Sequence, residues 1–172
     1  ILEDQSELPD CSGTVYSYSA EGNGKDAGKV LFLHGFASRI PNDKIKKLAA
    51  LLDGGTLYTV ELKGINRIYC DGEQRYADIR RQIAALLQFV DPEKTVVVCS
   101  SVSVLLLCDH VETLKRCKGI VMVTPIFSLR DTPFDGAIAR AVEHGFEGTY
   151  LELDNPYYAG CKISRELFET LE

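Results

Sequence analysis

Short apolar runs alternate with amphipathic helical patterns along most of this chain. Such continuous apolar runs are typical of strands in a parallel sheet whose two faces are both covered. The predicted strands span residues 14–19, 29–33, 56–62, 95–98, 119–124 and 149–153. The predicted helices span residues 42–52, 76–90, 102–114, 135–144 and 163–171. This alternation predicts an α/β fold with a mostly parallel, doubly wound sheet of about five to six strands, flanked by helices.

The size and charge of the chain limit the classes of protein to which it can belong. Its 172 residues suit one domain, with residues 1–12 as a polar arm. The net charge is −6, from 25 acidic and 19 basic residues, and no basic stripe points to nucleic acid. No apolar stretch is long enough to span a membrane. The chain does not start with Met, so upstream processing stays open.

The number and spacing of the cysteines indicate whether the chain binds a metal ion and in which cellular compartment it is found. Six cysteines are present without a Cys-x-x-Cys pair, so we expect no metal site. A chain of this length can bury a core without disulfides, which favours free thiols and a cytoplasmic location. Cys99 and Cys108 fall in apolar runs, and we expect both to be buried thiols.

Two strand ends carry unusual polar residues. One strand runs directly into His34-Gly35-Phe36, and the strand over residues 95–98 turns at once into a helix through Cys99-Ser100-Ser101-Val102-Ser103. Functional groups gather at the carboxyl ends of strands in open parallel sheets. This pair of motifs resembles the α/β-hydrolase superfamily, in which a Gly-x-Ser-x-Gly elbow carries the nucleophile. The strand and helix order follows that family from about residue 14 to residue 126, and residues 127–172 diverge from it.

The resemblance implies specific roles. Ser101 takes the nucleophile position, with Cys99 and Ser103 where the family usually has glycine. His-Gly resembles the oxyanion loop, so the backbone N–H groups of Phe36 and Val102 would form the oxyanion hole. A serine hydroxyl is also a helix N-cap residue, which is the structural alternative for the serines of this turn.

A serine nucleophile further needs a base and an orienting acid. The family order is Ser, Asp or Glu, His, which makes Asp154 and His144 the candidates, although His144 at a helix end also suits the helix dipole. A second alignment of the C-terminal residues with the family treats residues 154–160 as its last loop. Asp131 is then the acid, and no histidine lies at the family's position. His34 is placed near Ser101 by the fold and is a further catalytic candidate, although its family role is structural.

These residues support two hypotheses of function. The first is a small serine hydrolase that acts on acyl esters or thioesters, with Ser101 as nucleophile and without a cofactor. The alternative is a catalytically inactive binding or interaction module that lacks the triad histidine. The expected ligand is a small acyl-containing molecule, and a protein partner is compatible with either hypothesis. A different doubly wound fold, such as a flavodoxin-like one, lacks support because no Gly-x-Gly-x-x-Gly or Walker-type loop is present.

Overall fold

The main element of the structure, a computed structural model, is a six-stranded sheet. The structure describes residues 2–8, 13–20, 22, 28–40, 42–65 and 70–172. The strands of this sheet are β1 (Leu2–Glu7), β2 (Thr14–Ser19), β3 (Lys29–Leu33), β4 (Thr56–Val60), β5 (Thr95–Ser100) and β6 (Gly119–Val123). They lie side by side in the order β1-β2-β4-β3-β5-β6. The four strands β4, β3, β5 and β6 are parallel, and β1 and β2 are antiparallel additions at one edge. The predicted fold class is confirmed.

Strand β1 is not predicted from the sequence. Its residues belong to the expected polar arm, and five of the six are exposed. They nevertheless pair along their full length with β2, from Leu2 opposite Ser19 to Glu7 opposite Thr14. Exposed polar residues give no apolar alternation, so the strand is stabilised by its backbone ladder and leaves no pattern in the sequence.

Helices pack on both faces of the sheet, although β6 is exposed along most of its length. They are α1 (Asp43–Ala50), α2 (Tyr76–Phe89), α3 (Ser103–Leu107), α4 (Val111–Leu114), α5 (Gly136–His144) and α6 (Arg165–Leu171). Leu31 and Leu33 of β3 point to the face covered by α2 and belong to the larger core. Val30 and Phe32 point to the opposite face and pack against the smaller core around α1. Successive side chains of a strand alternate between faces, so one short strand contributes to both cores.

The helix predicted over residues 102–114 is interrupted. A 3₁₀ turn over Cys108–His110 separates α3 from α4. A 3₁₀ turn has about three residues per turn, compared with 3.6 in an α-helix, so it rotates the following side chains relative to the core. Cys108 is consequently exposed, and the expectation that it is buried is wrong, whereas Cys99 is buried as expected.

Residues 129–172, which we call the C-terminal segment, follow β6, and their last helix packs against α2. The segment contains α5, α6 and a separate antiparallel pair of strands, β7 (Tyr150–Glu152) and β8 (Lys162–Ser164). Its two ends meet: the Leu129 N–H donates to the Leu171 carbonyl at 3.0 Å. The strand predicted over residues 149–153 therefore exists but does not join the main sheet. No helix in the described ranges is long and apolar enough to cross a bilayer.

Candidate active site

Ser101 lies on the turn that joins β5 to α3. Its φ angle is 56°, in the left-handed region that residues other than glycine rarely adopt. The backbone around it is held on both sides: its N–H donates to the Val123 carbonyl at 3.0 Å, and its carbonyl accepts from the Val104 N–H at 3.1 Å. A strained residue persists where its surroundings over-determine it, and such residues concentrate at functional sites.

Gly35 packs directly against this turn. A Cβ atom at Gly35 would lie 3.0 Å from the Ser101 Cβ and 3.6 Å from its Oγ. Only a residue without a side chain permits this approach of the His34-Gly35 loop to the serine. The two strand-end motifs singled out in the sequence are therefore in contact, as neighbouring parallel strands require.

Ser103 joins the same two segments by a hydrogen bond. Its side chain is fully buried, and its hydroxyl donates to the backbone carbonyl of His34. From the sequence, Ser103 is expected either to replace a glycine of the elbow motif or to cap the helix, and neither interpretation predicts this bond to His34. A polar residue at a position that requires a small one is the signal that could have revealed this contact.

Phe36 and Val102 directly follow Gly35 and Ser101 in the sequence. Both residues are buried, and neither N–H donates a backbone or side-chain hydrogen bond to another described residue. Buried N–H groups are normally paired with protein or water.

Aromatic side chains connect the loop to the C-terminal segment. The Phe36 ring lies 5.7 Å from the Phe134 ring and 6.4 Å from the Tyr158 ring, between centroids. Phe134 and Tyr158 also contact each other edge-on at 5.4 Å. This packing fixes the position of Phe36, since each ring is held by the other two.

An open cleft of about 770 Å³ lies beside the elbow at the carboxyl ends of the strands. Its lining includes Gly35, Ser100 and Val123 at the strand ends, together with residues at the start of α1. The cleft gives solvent and small molecules access to this edge of the sheet.

His34 is buried in the loop between β3 and α1. Its Nδ1 lies 2.8 Å from the Gly35 carbonyl, which accepts a hydrogen bond and so places the ring proton on Nδ1. Burial lowers the pKa of His34 to about 4, and backbone hydrogen bonds at Gly35 and Val60 offset only part of that effect. The imidazole is therefore neutral at pH 7, and such a low pKa makes it a weak base.

The other candidate residues lie on the C-terminal segment. His144 ends α5, its side chain is exposed, and its Nε2 lies 3.6 Å from a Glu143 carboxylate oxygen. Asp154 follows β7 and pairs with Arg140 at 2.7 Å. The hydrogen bond from that guanidinium lowers the pKa of Asp154. Asp131, the acid of the second alignment, is exposed in the turn before α5.

The structure thus brings the two strand-end motifs, at His34-Gly35 and at Ser101, into contact. Within the described ranges, no residue forms a hydrogen bond with the Ser101 hydroxyl, and none joins His144 to Asp154. His110, within the 3₁₀ turn after α3, has a pKa lowered by desolvation. The same part of the chain holds no group of three His, Cys, Asp or Glu side chains that could bind a metal ion.

Solved structures resemble the whole arrangement. A protein from Agrobacterium vitis S4 described as a hydrolase matches with a TM-score of 0.63 and 18% identity, over 98% of this chain and 69% of that chain. The mouse alpha/beta hydrolase domain-containing protein 10 matches with a TM-score of 0.65 and 14% identity, over 98% and 68%. The chain has the α/β-hydrolase fold. The resemblance inferred from His34-Gly35 and the Ser101 elbow is confirmed at the level of the fold.

A further solved structure matches over only part of its own length, and the sequence itself has no match. The thioesterase domain from the curacin biosynthetic pathway matches with a TM-score of 0.56 and 14% identity, over 85% of this chain. This chain spans only 55% of that domain. No family model and no curated protein matches the sequence.

Proposed function

We propose that this protein is a serine hydrolase that acts on acyl esters or thioesters, with Ser101 as the nucleophile. The observation that carries the proposal is the positive φ of Ser101 at the strand-to-helix turn, with Gly35 in contact. A helix cap needs no left-handed backbone, because N-cap residues ordinarily adopt extended angles. A nucleophile elbow does need a sharp, strained turn that exposes the hydroxyl above the sheet.

In this proposal the backbone N–H groups of Phe36 and Val102 stabilise the charge that develops during the reaction. In the proposed reaction the Ser101 oxygen attacks the acyl carbonyl, and its proton passes to a base. The carbonyl oxygen then carries the negative charge that the two N–H groups stabilise. In other acyl-transfer enzymes, loss of one such donor lowers the rate by roughly 10²–10³-fold.

For the base we propose His144, with Asp154 as its orienting acid. Both lie on the C-terminal segment, which packs on the oxyanion loop through Phe134 and Tyr158. In this arrangement His144 must move toward the serine and Asp154 must exchange Arg140 for the imidazole. An exposed histidine at the last turn of a helix can change its rotamer without disturbing a core.

The decisive experiment is labelling with a fluorophosphonate, which reacts covalently with an activated serine. We expect labelling of the wild-type protein, its loss in Ser101→Ala, and its retention in the matched control Ser100→Ala. Likewise, the wild-type protein and Ser100→Ala should hydrolyse short-chain acyl esters, and Ser101→Ala should not. Labelling that persists in Ser101→Ala would assign the nucleophile to another residue. His144→Gln tests the base, and undiminished labelling of that variant would remove His144 from the mechanism.

One observation favours a second candidate function. The Ser101 hydroxyl has no base within hydrogen-bond distance among the described residues, and an unactivated serine is a poor nucleophile. A hydrolase-like fold without a triad would serve as a binding module that uses the cleft beside Gly35 and Ser100. A wild-type protein that folds cooperatively and resists the probe would support this binding function.

A further inference from the structure

Cys70 and Cys161 lie opposite each other across a short parallel pairing. Asp71 and Lys162 form an isolated parallel bridge, and the Lys162 N–H donates to the Cys70 carbonyl at 2.8 Å. The two cysteines are the residues immediately before this bridge on each segment. Register partners in a sheet lie about 4.8 Å apart and point to the same face. A disulfide requires a Cα separation of about 4.4–6.8 Å, so the backbone spacing fits one.

The two side chains share a buried environment. Cys70 is 4% exposed and Cys161 is 2% exposed, and both belong to the larger core. The Cys70 thiol donates to the Ile65 carbonyl at 3.7 Å. Burial raises the pKa of Cys70, and the neighbouring Cys161 thiol raises it further through a side-chain hydrogen bond. The structure holds both residues as thiols.

We propose that Cys70 and Cys161 form an intramolecular disulfide that fastens the C-terminal segment to the loop before α2. The oxidant is a low-molecular-weight disulfide such as oxidised glutathione. One cysteine thiolate attacks the glutathione disulfide and releases one glutathione thiolate. The second cysteine then attacks the mixed disulfide, forms the protein S–S bond and releases the second glutathione. Two protein thiols are oxidised, and one glutathione disulfide is reduced to two thiols.

The position of this pair connects it to the candidate active site. The Ala37 N–H, next to Phe36, donates to the Ile65 carbonyl at 2.8 Å, and the Cys70 thiol donates to the same carbonyl. On the other segment, the Cys161 N–H donates to the carbonyl of Tyr158, whose ring packs on Phe36. A disulfide between Cys70 and Cys161 would therefore restrain the loop that carries Phe36 and the segment that carries Tyr158.

The sequence separation predicts the size of the effect. The bond closes a loop of roughly 90 residues, in the range where cross-linking restricts the unfolded chain most strongly. For a domain of this size we expect the melting temperature to rise on the order of 10 °C on oxidation. Because both sulfurs are buried, thiol exchange in the folded protein is slow, and oxidation proceeds fastest during refolding.

The test is refolding of the full chain in a glutathione redox buffer, followed by peptide mapping without reduction. We expect a linked peptide containing Cys70 and Cys161, an intact mass lower by two hydrogens, and a higher melting temperature that dithiothreitol reverses. Cys161→Ser should abolish the linked peptide and the shift, whereas Cys99→Ser and Cys117→Ser should retain both.

Two results would overturn the proposal. One is a protein that refolds in the same buffer with Cys70 and Cys161 both alkylated as thiols after denaturation. The other is glutathione found on exposed Cys108 with no internal cross-link. Peptide mapping of the wild-type chain decides the question even where Cys161→Ser does not fold.

Discussion

The Ser103 hydroxyl donates a hydrogen bond to the His34 carbonyl, 69 residues away in the sequence. This bond joins the segment that carries the Val102 N–H to the segment that carries the Phe36 N–H. The distance between two donors decides whether both reach one oxygen, because such donors act within about 2.7–3.1 Å. Ser103 is thus placed to set the spacing of the proposed oxyanion hole.

The first prediction follows from this bond. Ser103→Ala leaves the His34 carbonyl without its donor in a buried site, which destabilises a protein by about 1–3 kcal/mol. We expect the melting temperature to fall by several degrees, and amide hydrogen exchange at residues 34–36 to increase. Ser19→Ala, which removes a part-buried hydroxyl pair with Thr56, is the matched control. Unchanged exchange at residues 34–36 in Ser103→Ala would show that the bond does not hold the loop.

Much of this site can be predicted from the sequence, because its parts are local. An apolar run followed by small residues encodes the elbow, and adjacent parallel strands bring His34-Gly35 to Ser101. The elements that escape prediction depend on distant contacts. Nothing near β7 in the sequence indicates that it pairs with β8 rather than with the main sheet. The Cys70–Cys161 juxtaposition likewise arises from the path of the C-terminal segment, which no local pattern encodes.

The second prediction concerns Gly35. In Gly35→Ala the new Cβ lies 3.0 Å from the Ser101 Cβ, closer than side chains normally approach, so the elbow and the loop must move apart. We expect fluorophosphonate labelling to slow by at least tenfold, since small displacements of reacting groups are strongly felt. Gly28→Ala, whose added Cβ meets nothing within 4 Å, should label at the wild-type rate. Equal rates for the two variants would contradict the contact.

The third prediction isolates the backbone strain at Ser101. Both Ser101→Gly and Ser101→Ala lose the hydroxyl, but only glycine adopts a φ of 56° without a steric penalty. We expect the glycine variant to be more stable than the alanine variant by about 1 kcal/mol. Differential scanning calorimetry should then show a melting temperature higher by a few degrees for Ser101→Gly. An alanine variant of equal or greater stability would exclude strain at this turn.

The fourth prediction concerns pH and His34. The unfolded chain binds a proton at His34 with the ordinary pKa of 6.5, whereas the folded protein does so only at about 4. Between these values the unfolded state holds more protons, so stability falls as the pH is lowered from 6.5 to 4. This difference in the pKa of His34 lowers the free energy of unfolding by about 3 kcal/mol at most, because each pKa unit is worth about 1.4 kcal/mol. Urea unfolding at a series of pH values measures it.

A variant with an uncharged side chain at this position identifies the source of the pH dependence. His34→Asn cannot take up the proton in either state, so the loss of stability between pH 6.5 and 4 should become smaller. Some dependence should persist, since desolvation also lowers the pKa of His110. His144→Gln, a histidine substitution at an exposed position, is the matched control. A profile that is as steep in His34→Asn as in the wild type would mean that His34 is protonated equally in the folded and unfolded states.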